Sequence, residues 1–127
     1  MRDFIFIFMK EINIYIRPND LSKVTGILQK HKLGITFFDI QGTGRTPRST
    51  SEIIHSYQTG RTTIPKFIGR VLVISIVSDS IVNQIIEEMM RSFDTQEEPY
   101  GVLFVKDVTN AYELGTELKG DEVLVSK

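Results

Sequence analysis

Ile12, Ile14 and Ile16 alternate with Asn13, Tyr15 and Arg17, the period of two expected of a strand with one buried face. Pro18 then suits the first turn of a helix, with Asn19 or Asp20 placed to cap nearby amides. Leu21, Val24, Ile27 and Leu28 recur at helical spacing, and Gly34 is the expected stop. Residues 35–41 return as a strand in which Phe37 and Phe38 point to opposite faces, so both faces are expected to be covered. Residues 71–77 are almost all apolar, as in a central strand buried on both sides. Ser78 and Asp79 begin a second helix, where an acid favours the positive end of the dipole. Its apolar stripe is Ile81, Ile85, Met89 and Phe93, widened by Val82 and Ile86, with Met89 and Met90 read as core filler. Residues 102–108 make the fourth strand.

The chain therefore spells strand–helix–strand twice, joined by a long loop over residues 42–69. That order predicts an α+β, ferredoxin-like βαββαβ sandwich: an antiparallel sheet with two helices on one face and the long loop between strands two and three. The other face of the sheet is left open, and an apolar sheet face on a lone chain makes a large sticky patch. Association through the sheets is the economical remedy.

Length, composition and histidines narrow the classes. The 127 residues fit one domain, and 41% hydrophobic with 24% charged residues is the balance of an ordinary globule. With no cysteine, disulfides and thiol chemistry are excluded. His31 and His55 sit in unrelated local contexts, so no histidine metal site is expected. The apolar run at residues 4–9 is far shorter than the ~20 residues a bilayer crossing needs. Arg2 is followed at once by Asp3 with no cleavage pattern, which argues against a secretory signal. Residues 1–8 are read as an extension and residues 9–127 as the domain.

The net charge of −1 hides a split. Residues 41–70 carry five bases (Arg45, Arg48, Arg61, Lys66, Arg70) against Glu52, whereas residues 79–122 carry eleven acids and three bases. A positive loop on a negative body can reach for phosphates or for an acidic partner surface. The same charges also serve simply to solvate a surface loop.

Gly42-Thr43-Gly44-Arg45 closes the second strand. Two glycines allow close backbone approach to a ligand and free amides to face an anion, and Arg45 adds charge. Alone this is a weak signal, and no helix follows, so it is neither a Walker loop nor a dinucleotide fingerprint. In its context the chain resembles the PII signal-transduction family over most of its length, in the form that archaeal members use. The matching pieces are Arg17-Pro18 with Leu21 and Val24, Gly42-Thr43-Gly44-Arg45 at the start of the T-loop, Val77-Ser78-Asp79 before the second helix, and Gly101-Val102-Leu103-Phe104-Val105. Ala111-Tyr112-Glu113-Leu114-Gly115-Thr116 and Gly120-Asp121 resemble the closing loop.

The resemblance implies a cytoplasmic homotrimer, not an enzyme, whose T-loops at about residues 45–69 act on a target such as an ammonium transporter or a metabolic enzyme. It implies no nucleic-acid partner and no membrane insertion. It also implies an effector site between subunits, here Thr36, Gly42, Thr43, Gly44, Arg45, Thr46, Arg70 and Gly101, with Arg48, Tyr57 and Arg61 facing the target. Departures weaken the family's usual adenine-nucleotide and 2-oxoglutarate contacts. Thr46 stands where glutamine is usual, Val102 where a lysine is usual, and Glu113 and Gly115 where arginines are usual. Arg70 replaces a lysine, and Glu97 and Glu98 bring acids beside Gly101. Charge-assisted phosphate contacts contribute about 1.5–3 kcal/mol each, so an adenine nucleotide or other small effector is expected to bind weakly or atypically.

Two other non-enzymatic readings share this fold. One is an RNA-binding module, since residues 100–105 resemble an aromatic strand signature, although on the fourth strand rather than the third and amid acids that repel a phosphate backbone. The other is a structural trimer like the copper-tolerance protein CutA, distinguished by lacking a long T-loop. For an enzyme, no nucleophile–base pair stands at plausible spacing.

Overall fold

The structure, a computed structural model, describes residues 8–42, 54–55, 62–63, 68–94 and 101–124. Strand β1 (Met9–Ile16) leads through a 3-10 turn (Pro18–Asp20) into α1 (Leu21–Lys30), and β2 (Thr36–Gly42) follows. Within the long loop, β3 (Ile54–His55) pairs with β4 (Thr62–Thr63) in a two-stranded ladder. Then come β5 (Ile68–Ser78), α2 (Val82–Ser92) and β6 (Gly101–Val108), and the described chain ends in a 3-10 turn (Gly120–Leu124) that lies against β5. The four long strands form one antiparallel sheet in the order β2-β5-β1-β6. This is the expected βαββαβ sandwich.

Register decides which side chains share a face. Ile12, Ile14 and Ile16 stand opposite Ser75, Val73 and Val71, and all six are buried beneath the helices. Val24 and Leu28 of α1 and Val82, Ile85 and Met89 of α2 close the core from above. Fully burying a side chain of this kind stabilises by about 1.5–3 kcal/mol. Helices of 10 and 11 residues are too short to persist alone in water, so this packing, not propensity, holds them.

Several local expectations are corrected. Asp20 does not cap α1; its carboxylate accepts from Arg17 Nε at 3.1 Å while 8% exposed. Gly34 does not stop the helix. Lys32 takes the left-handed conformation (φ 59°) and the Leu33 amide donates back to the Leu28 carbonyl, so the helix closes before the glycine is reached. Met90 is not core filler: it is 67% exposed, one residue round the helix from buried Met89. Phe37 and Phe38 do face opposite ways, but neither is covered within one chain. β5 is buried on its helix side only, its alternate residues being half-buried.

Candidate functional site at the base of the long loop

One end of the sheet gathers the ends that frame the long loop. There Gly42 stands opposite Ile68, Gln41 opposite Gly69 and Ile40 opposite Arg70, while Ile16 stands opposite both Val71 and Gly101. Gly42, Arg70, Gly101 and Arg17 therefore share this end, brought there by four different strand termini. Arg70 is half-buried and its Nη1 donates to the Gly69 carbonyl at 2.9 Å, which folds the guanidinium back over the strand. Arg17 is tethered to Asp20.

Gly101 has a structural reason to be glycine besides ligand access. A Cβ there would meet the Tyr15 carbonyl oxygen at 2.1 Å, so β6 sits against β1 only because the side chain is missing. Thr36 is at the other end of β2, six residues from Gly42 and so roughly 20 Å away. Gly42 and Gly101 lie on opposite edge strands, three strand spacings (roughly 14 Å) apart across the sheet and three residues (roughly 10 Å) apart along it. One chain thus does not bring Thr36 or Gly101 against Gly42. Thr43, Gly44, Arg45, Thr46, Arg48, Tyr57 and Arg61 lie outside the described residues.

The face of the sheet away from the helices is the second feature. Tyr15 and Phe104 meet edge to face, their ring centroids 5.7 Å apart, and Phe104, Phe38 and Val102 are 52%, 47% and 37% exposed. Sequence reasoning foresaw an open face but not this aromatic cluster. The alternation in β1, extended to β6, contained it. Beside it is a polar set: Asn13 Nδ2 donates to Glu11 Oε2 at 2.7 Å and Lys106 Nζ reaches the same oxygen at 3.1 Å. Those contacts, Asn13 first and Lys106 second, hold the Glu11 carboxyl below its ordinary value. At the end of the sheet away from the long loop, Lys10 bridges Asp107 and Asp79. Its hydrogen bond to Asp107 foremost raises its ammonium above the ordinary lysine value.

After β6 the chain makes a small hairpin in which Tyr112 bridges Lys119 and Gly115 supplies a left-handed turn (φ 89°). Its Glu113 and Gly115 stand at the two positions where the family resemblance led arginines to be expected. Among the described residues no helix is long and apolar enough to cross a membrane.

Comparison with known proteins supports the same architecture. GlnK of B. subtilis superimposes with a TM-score of 0.68 at 24% identity, covering 92% of this chain and 99% of that one. The B. subtilis GlnK–ATP complex gives 0.67 at 24% identity, covering 92% and 98%. Arabidopsis thaliana PII bound to citrate gives 0.64 at 19% identity, covering 91% and 92%. At these identities the likeness establishes the fold. Among curated protein sequences none matches the chain. The family model for nitrogen regulatory protein P-II matches residues 9–117, nearly all of the sandwich and its closing hairpin. With the double βαβ order, the long loop after Gly42 and that match together, the chain belongs to the P-II nitrogen regulatory protein family.

Proposed function

We propose that the chain is a PII-type signal-transduction regulator. It assembles as a homotrimer through the open face of its sheet, takes a small anionic effector between subunits, and acts on a target protein through residues 45–69. The observation that carries this reading is the cluster of half-buried Tyr15 with exposed Phe38, Val102 and Phe104 on the sheet face opposite the one that holds the buried core. Apolar and aromatic side chains of this size gain most when a second apolar surface removes them from water. Trimeric closure also answers the spacing problem within one chain. Thr36 lies too far from Gly42 along β2 to share a ligand with it, and a neighbouring subunit can supply its counterpart.

Two of the similar structures were described with ligands, ATP on GlnK and citrate on PII, both anions of several charges. In this chain the described sheet end offers Arg70 and the Asp20-tethered Arg17, and Val102 and Glu113 stand where more cations were expected. A multiply charged triphosphate is therefore a poor match, and an anion of lower charge a better one. A thermal-shift screen of adenine nucleotides, cyclic nucleotides, 2-oxoglutarate and bicarbonate tests this. One stabilising ligand is expected, its effect reduced in Arg70→Ala. Calorimetry showing micromolar ATP binding, tightened by 2-oxoglutarate with magnesium, would refute the low-charge assignment.

A further inference from the structure

Across the middle of the open sheet face, β5 contributes Leu72, Ile74 and Ile76 and β6 contributes Val102 and Phe104. The next pair along is charged. Glu11 of β1 stands directly opposite Lys106 of β6, on the same face as Tyr15 and Phe104 by the alternation of both strands. Charges are depleted from the centres of interfaces because each must shed its water on burial. A face that packs against copies of itself must therefore supply these two with partners.

Their hydrogen bonds show which groups still lack one. Asn13, only 7% exposed, donates its Nδ2 to Glu11 Oε2 at 2.7 Å, and Lys106 Nζ reaches that same oxygen at 3.1 Å. Oε1 receives neither. The ammonium carries three N–H groups, and the Lys106 side chain is 64% exposed. The patch thus presents an acceptor held in place by Asn13 beside a donor with capacity left over. Such a patch is complementary to its own copy, and it continues the aromatic cluster of Tyr15 and Phe104.

We propose that Lys106 of each subunit donates to Glu11 Oε1 of the next, so that three such contacts close a ring inside the trimer. The ring rests on trimeric assembly and adds what the aromatic side chains leave undefined. Phe38, Val102 and Phe104 gain from any apolar cover, whereas a paired charge accepts one register and penalises the others. In a cyclic assembly each copy offers a different patch to either neighbour, so one donor and one acceptor per chain suffice. Three glutamates and three lysines leave the ring without net charge. The rotation it fixes also sets how the clefts between subunits align.

The test is light scattering of the size-excluded chain over a dilution series, with folding checked by circular dichroism. The unmodified chain is expected at three times 14.5 kDa at micromolar concentration. Glu11→Lys and Lys106→Glu each set like charges across the strand pair, and each alone is expected to dissociate at concentrations about tenfold higher or more. An equimolar mixture of the two is expected to regain mass toward that of the unmodified assembly. Neither variant keeps an opposite charge of its own at these positions, so recovery requires contact between copies. Should either reversal misfold, Glu11→Gln and Lys106→Gln repeat the mixing test without like charges. A monomeric unmodified chain overturns both the ring and the trimer. A trimer whose variants dissociate no more readily, or whose mixture is no heavier than its components, overturns the ring and leaves the trimer standing.

Discussion

At position 101 a single methyl group has nowhere to go. The nearest obstacle to a Cβ is a backbone oxygen, Tyr15, which cannot rotate aside as a side chain would. Gly101→Ala should therefore push β6 off β1 and destabilise the fold by about 1–3 kcal/mol or more, read as a lower urea midpoint. An unchanged midpoint would show that the strands do not approach so closely. The glycine was plain in the sequence, but its reason was not, because the crowding comes from a strand more than eighty positions away in the chain. Asp20 and Gly34 were misread for a related cause. Capping and stop signals are local preferences, and here Arg17 competed for the carboxylate while Lys32 accepted a left-handed turn before Gly34 could.

Between the helices, contacts are both apolar and ionic. Met89 is buried against the core and Met90 faces solvent, a difference set by 100° of helical rotation that the broad stripe in the sequence left ambiguous. Met89→Ala should cost about 2–5 kcal/mol, whereas Met90→Ala should stay within about 0.5 kcal/mol. Comparable losses at both positions would mean that α2 is rotated from its described setting. Across the helix pair, Glu88 joins Lys30 at 2.8 Å and His31 at 3.0 Å, and Lys23 lies over the Phe93 ring at 4.5 Å. Hydrogen bonds from Lys30, then His31, hold the Glu88 carboxyl below its ordinary value of 4.5 despite opposition from burial. A carboxyl depressed in the folded state stabilises above its unfolded value and loses that contribution as pH falls through the lower folded one. Urea midpoints of the chain and of Glu88→Gln should therefore differ most near neutrality and converge in acid. A gap that persists or widens below the usual carboxylate range would contradict this ion-pair account. None of these cross-helix partners was legible in the sequence, since only the packing angle brings residues 30–31 to residue 88.

For the molecule as a whole, the strand–helix order, the sheet and its open face followed from hydrophobic periodicity alone, because the periods of two and 3.6 survive without knowledge of partners. The candidate site was legible only in part. Gly42, Arg70 and Gly101 do reach one end of the sheet, but Thr36 does not, and Thr43, Gly44, Arg45 and Thr46 lie outside the described residues. A site shared between subunits leaves no signature of contact in one chain. The account rests on the aromatic face of the sheet becoming an interior. Light scattering on the size-excluded chain at micromolar concentration tests that most directly. Three times the chain mass of 14.5 kDa is predicted, falling toward 14.5 kDa in Phe104→Asp, which would place a charge in that interior. A species of 14.5 kDa from the unmodified chain would contradict it.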